Sequence, residues 1–345
     1  MLKPILCAAL ALPFALTASE PTDPRLSVLF GQVGLNDRQI AAIEEGRPVA
    51  KVLSWGGASV VHVFGAVHID GSQETYVKFA RNVARLAGTP GYLAIGDLPA
   101  SLSSADLSAL KLEPDDIKAL KSCREGDCDV QLPTSSITAF QTAVDWSQAD
   151  AAGQVNGLAR GMVLDLIREY RRGGNAALGV YRDKQHPARV ADQFEAMVSR
   201  SATLPNVLPE LRQFLLKYPD VDLPGAENFF YWEKVDFGMK PTIRVNHGVT
   251  YHTADANRSI SAVAIKQLYA SHYFHTALDV SVCVEDTRKP ERSGFYLLTL
   301  KSSEQDGLTG AKGSILRKVV VDKTRSSLEK ALASIKSTVE RGVIP

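Results

Sequence analysis

The stretch from Phe229 to Leu300 limits the possible folds more than any other part of the chain. FFYWEKVDF, TIRVNHGVTY, the run from Val263 to Val284 and FYLLTL are rich in β-branched and aromatic residues, which fit a pleated, half-buried surface. Gly238, Asp255-Ala256-Asn257 and Lys289-Pro290 with Gly294 separate them. Such short breaks predict antiparallel hairpins, because parallel neighbours need a crossover of about a dozen residues or more. Val263 to Val284 reads as one strand, bulged near Ala270-Ser271.

Helical patterns flank this sheet. Val49–Leu53 and Val60–Ile69 predict a first hairpin across Gly56-Gly57, and Asp70-Gly71-Ser72-Gln73 then caps a helix with Tyr76, Phe79, Ala80 and Val83 on one face. Between Tyr92 and Tyr218 the chain turns to short helices, the clearest being Val155 to Tyr170. Near the end, Ser326-Ser327-Leu328-Glu329 fits a capping box, and Leu328, Leu332, Ile335 and Val339 share a helical face. A helix of this kind must bury its stripe on the sheet, so the expected class is α+β. The division that follows is 1–19 as a signal peptide and 20–91 as a leader with the first sheet elements. Residues 92–218 form a helical insertion or lobe, and 219–345 the main sheet and last helix.

MLKPILCAALALPFALTASE has one Lys, an apolar run from Ile5 to Leu16 and small residues near Ala18 and Ser19, the layout of a secretory signal. The apolar run falls short of the roughly 20 residues of a spanning helix, so no stable membrane span is expected and the mature chain is placed in the periplasm or outside the cell. Without Lys3, the 39 basic residues fall level with the 38 acidic ones, giving no electrostatic reason to expect nucleic acid as a partner. Of four cysteines, Cys123 and Cys128 enclose a short polar loop, and an oxidising compartment favours a local disulfide between them. Cys283, in an apolar run, reads as a small buried hydrophobe.

The order strand, helix, several antiparallel strands and one long C-terminal helix, carried by AVHIDGSQETYVKFARNV, the sheet from Phe229 to Leu300 and LEKALASIKSTVE, resembles the helix-grip superfamily of START and polyketide-cyclase type. That resemblance implies a curved sheet gripping the last helix around a cavity for a lipid or other hydrophobic small molecule. GDCDVQLP, YWEKVDFGMKPTI and YASHYFHTAL are similar to stretches of exported bacterial proteins that carry such a helical insertion and have no assigned activity.

Alternation puts Ile243, Val245, His247, Val249 and Tyr251 on one face of a strand and Arg244 and Asn246 on the other. His247 could thus bring an imidazole to a ligand, or be a hydrogen-bonded core histidine. Glu233 and Lys266, charges within apolar strands, are expected on an outer face; if both point inward they should pair. Tyr269 and Tyr273 would share a face and line a pocket, whereas His272 and His275 would face opposite sides. The ligand-binding candidates are therefore Glu233, Arg244, His247 and Lys266, with Tyr269, His272 and Tyr273. No cofactor is expected, and no metal: His247, His272 and Asp279 have no recognised ligand spacing. The sequence has no G-x-S-x-G, H-E-x-x-H or C-x-x-C. An extracytoplasmic hydrolase, cyclase or metal-assisted enzyme using the sheet histidines is the alternative, and an assembly or docking factor using the helical block is a second. Nothing in the sequence names a protein partner.

Overall fold

The computed structural model describes residues 24–342 apart from positions 56, 202–207, 256–257, 289–293, 306 and 309. The expected signal segment, and Asn257 of an Asn-Arg-Ser glycosylation sequon, lie outside the described residues. The class is α+β, built on a large curved antiparallel sheet and a long C-terminal helix.

The elements run α1 (Pro24–Gln32), α2 (Asp37–Glu44), β1 (Val49–Leu53), β2 (Val60–Asp70), α3 (Gln73–Arg81) and β3 (Tyr92–Asp97). Then come α4 (Pro114–Leu120), α5 (Thr134–Thr142), α6 (Ala151–Gly173), the short strands β4 (Val180–Tyr181) and β5 (Ala188–Arg189), α7 (Val190–Arg200) and α8 (Pro209–Lys217). The long strands β6 (Ala226–Val235), β7 (Thr242–Asp255), β8 (Arg258–Ala270), β9 (Phe274–Glu285) and β10 (Gly294–Gln305) follow, and α9 (Gly310–Glu340) closes the chain. Local signals start several helices: Asn36 and Gln39 form a reciprocal capping box, the Ser72 hydroxyl accepts the Thr75 N–H, and Pro114 opens α4.

Eight strands pair in the order β1-β2-β10-β9-β8-β7-β6-β3. Consecutive hairpins account for β6 to β10, and β3 returns from the start of the helical block to pair antiparallel with β6. The sheet has two differently covered faces. On one, Phe64, Leu298, Val280, Ala264 and Val249 form a core with α1, α2, α7 and α8, and Phe230, Trp232, Ile243, Val245 and Leu268 form a second with the helical block. On the opposite face Val63, Val67, Phe295, Leu297 and Cys283 pack with Tyr76 of α3 and Leu328, Leu332 and Val339 of α9.

Helix α9 meets the sheet unequally along its length. Its second half lies on β1 and β2, where Gly65 allows close approach: a Cβ there would sit 2.8 Å from Leu328 and Leu332 side-chain carbons. Its first half leaves Ile315 and Val319 exposed and is held by polar contacts, Arg317 donating to the carbonyl oxygens of Ala58 and Val60 and Lys323 to that of Phe237. The helix therefore touches the β1–β2 side of the sheet and also the tip of the β6–β7 hairpin. Such contact from both sides requires the sheet to curve toward the helix.

Two expectations about elements change. The helix begins well before the Ser326–Glu329 box, at Gly310; no proline interrupts residues 310–326, so helix propagates through a sequence that could also have started one. The long run from Val263 is two strands rather than one, turning at Ser271-His272-Tyr273, where Tyr273 adopts φ 64°. Its bulge lies near Leu268 rather than Ala270, because Val245 pairs with Tyr269 and Asn246 with Gln267. That irregularity sends both Leu268 and Tyr269 toward the helical block.

Candidate functional site

The strongest convergence of polar side chains lies on the α9 face. Register places Lys301, Asp279 and Ile265 side by side across β10, β9 and β8, with Gly248 of β7 beyond them under the Phe229 ring. One step along the strands lie Ser303, Gln267, Asn246 and Tyr231, and Arg244 with Glu233 follow toward the hairpin tip. Strands β8 and β9 are central in the sheet. Nevertheless the Asp279 and Lys301 side chains, paired with each other, keep 31% and 36% of their exposure. Neither α3 nor the docked half of α9 seals this part of the face, which stays partly open over polar side chains, a strip called the trough below.

At its deep end Arg244 Nη1 lies 3.0 Å from Glu233 Oε1, Asn246 Nδ2 donates to the same oxygen at 3.2 Å, and Arg244 Nε donates to Gln267 Oε1 at 3.1 Å. Burial pushes the Glu233 carboxyl above its ordinary value against the pull of Arg244 and Asn246, while Glu233 holds the guanidinium firmly charged. The expectation of an exposed Glu233 is corrected: it is buried, and alternation alone cannot tell an outer face from one covered by a remote helix. Asn246 Oδ1 is buried with no hydrogen-bond partner among the described residues. Arg244 retains 16% side-chain exposure, so the ion pair is not wholly sealed from solvent.

Three phenols and a second arginine interact electrostatically toward the α3 end of this face. Tyr76 is hydrogen-bonded to Ser281, whose hydroxyl lies 2.9 Å from that of Thr299. Burial raises Tyr92 to about 12, with Glu233 adding to the shift, and also raises Tyr231. Arg85 Nε donates to the Phe79 carbonyl at 2.7 Å, and the guanidinium lies over the Phe79 ring, 3.9 Å from its centroid. Sequence reasoning missed Arg85, Tyr92, Tyr231 and Lys301. Asn246 carried a signal, since it alternates in phase with Arg244.

His247 and Lys266 belong to the opposite face. Lys266, expected on an outer face, is 0% exposed. It points away from Glu233, so the expected inward pair does not form. Its ammonium nitrogen donates to the Tyr170 hydroxyl at 3.2 Å and to Asn175 Oδ1, and stands 4.1 Å from the Phe194 ring centroid. The Tyr170 hydroxyl is 3.1 Å from His247 Nδ1, and His247 Nε2 is 2.7 Å from Asn228 Oδ1. Because the amide oxygen only accepts, Nε2 carries the proton and Nδ1 accepts from Tyr170. This leaves His247 neutral, in keeping with a pKa pulled far down by burial, then by Lys266 and Arg171. Burial lowers the Lys266 pKa well below the ordinary lysine value, and no carboxylate among the described residues lies within ion-pair distance. Tyr170, Phe194, Phe230 and Tyr218 close over this network, which ties α6 and α7 to β7 and β8.

The remaining candidates lie elsewhere. His272 sits in the β8–β9 turn, Nδ1 donating to the Asp129 carbonyl at 3.0 Å and Nε2 3.1 Å from Asp116 Oδ2, both side chains 3% exposed. It anchors α4 and the residues beside Cys128, which stands at disulfide distance from Cys123 with Cα atoms 4.6 Å apart. The Tyr273 hydroxyl accepts the Lys240 N–H, whereas Tyr269 packs edge-on against Tyr181, so the two tyrosines share no pocket wall. His275 lies near Gln193 and Tyr181. The structure thus gathers Glu233 and Arg244 into one site, gathers His247 and Lys266 into another, and disperses the rest. Among the described residues no cluster of three metal-ligating side chains occurs, and no helix is long and apolar enough to cross a membrane. In comparison with known proteins, the chain matches no family model and no curated protein.

Proposed function

We propose that the protein is an extracytoplasmic binding protein that holds a lipid or other largely hydrophobic small molecule between its curved sheet and α9, in the helix-grip manner of START and polyketide-cyclase proteins. The observation that carries this reading is the trough itself: central strands of a large sheet, fully covered on one face, keep Asp279 and Lys301 partly exposed on the other. Half-buried Val77 and Ala80 of α3, Ile265 of β8 and Val320 and Val321 of α9 supply its apolar surface, and the Arg244–Glu233 and Lys301–Asp279 pairs supply a polar end. An amphiphile fits that division better than a wholly apolar ligand, because the buried polar floor needs partners. The disulfide-distance pair is compatible with an oxidising compartment.

Titration with the neutral dye N-phenyl-1-naphthylamine is expected to give a saturable rise in fluorescence that Ile265→Trp, by filling the trough, abolishes without lowering the Tm. Absence of saturable binding in the wild type, together with no lipid extracted from the purified protein, overturns the reading.

A further inference from the structure

Charges within the trough do not balance, and the imbalance has a location. Arg244 is matched by Glu233 and Lys301 by Asp279. Arg85 has no carboxylate within ion-pair distance among the described residues, and of its donors only Nε makes a hydrogen bond among them, to Phe79. Stacking on Phe79 and that single bond fix the plane of the guanidinium and leave both η nitrogens available as a two-pronged donor edge. The group is partly buried, which lowers its pKa, and the groups acting on it are Tyr92, Tyr76 and Tyr231, all phenols. Tyr231 makes no hydrogen bond among the described residues, and Tyr92 and Tyr231 both lie in the field of Glu233 and Arg244 at the deep end. A partly desolvated guanidinium, fixed in plane by Phe79 and without a carboxylate, is completed by an oxyanion, since planar arginine takes two oxygens of one carboxylate or phosphate and nearby phenols can donate to the same group.

Building on the proposed ligand trough, we infer that its ligand carries one oxyanionic group and that Arg85 is the binding residue that anchors it. The trough then holds an amphiphile whose anion sits at the α3 end, beside Tyr92 and Tyr231, with its apolar chain running along Ile265 toward Val320 and Val321 of α9.

Displacement of N-phenyl-1-naphthylamine by dodecanoate, dodecyl phosphate and dodecanol, at mildly alkaline pH and low salt, tests this. The two anions are expected to displace the dye at concentrations about tenfold or more below the alcohol, from one charge-assisted bidentate contact, and the better of them identifies carboxylate or phosphate as the native group. Arg85→Gln should remove that preference while dye and alcohol binding persist; Arg85→Lys, which keeps the charge without the planar fork, should retain part of it. An equal response to alcohol and anions in the wild type, or an undiminished anion preference in folded Arg85→Gln, overturns the anchor alone. If the dye fails to bind the wild type, the trough reading falls and the anchor falls with it. Should Arg85→Gln not fold, an unchanged preference in Arg85→Lys counts against the anchor and a reduced one supports it.

Discussion

The two faces of the sheet each bury a basic side chain, and they do so by opposite means. On the helical-block face Lys266 is wholly enclosed among Tyr170, Phe194 and Asn175 with no acid beside it. On the α9 face Arg244 is held by Glu233, which also accepts from Asn246, and by Gln267, and it keeps part of its exposure. Lysine tolerates the first setting because it can give up its proton; arginine cannot, and needs a counter-charge. The comparison separates a dry polar network that fastens helices to strands from one that stays partly open to solvent, where the proposed ligand would sit.

Substitutions that break the contrast should differ in size and sign. Arg244→Met leaves Glu233 buried without its partner and should cost about 3–5 kcal/mol in urea unfolding at neutral pH; adding Glu233→Met should recover much of that. Lys266→Met should instead stabilise the protein at neutral pH, by about 1.4 kcal/mol for each pH unit over which the wild-type lysine must give up its proton on folding, even though Tyr170 and Asn175 lose a donor. The pH dependence fixes the cause. Because burial lowers the folded pKa of Lys266 beneath its unfolded value, the unfolded chain binds the extra proton between the two. Wild-type stability is therefore full above the unfolded pKa and falls as pH drops through that window, at about 1.4 kcal/mol per pH unit. The advantage of Lys266→Met should accordingly vanish toward alkaline pH; a constant difference would mean packing, not charge. Smallest of all, Lys301→Gln breaks a partly exposed pair and should change stability by about 1 kcal/mol or less, while altering displacement of the dye by anionic amphiphiles.

Much of the architecture was legible because it rests on periodicity. The alternation in TIRVNHGVTY placed Ile243, Val245 and His247 opposite Arg244 and Asn246, as the structure does, and the stripe Leu328, Leu332, Val339 marked the docked half of α9. The β8–β9 turn was not legible. Ser271-His272-Tyr273 contains no glycine, proline, asparagine or aspartate, and its left-handed residue is a tyrosine, held with help from the Lys240 N–H. Nor could a one-dimensional pattern show that both faces of the central strands are occupied, so Glu233 and Lys266 read as solvent-facing charges. Arg85 follows α3 in a stretch whose polar residues resemble any solvated helix end. Its meaning depends on Tyr92 and Tyr231, brought close only when β3 pairs with β6.

The unequal hold on α9 sets how a molecule could enter and leave. Separating the second half would expose Leu328, Leu332 and Val339 and open the gap over Gly65, which means undoing part of the core. Lifting the first half breaks the links from Arg317 and Lys323 to backbone carbonyls and uncovers only apolar side chains that are already half-buried, Val320 and Val321. Local opening concentrates where the fewest packed contacts are lost. The helix is accordingly a cantilever clamped at its C-terminal end, whose free arm would set the residence time of the proposed ligand.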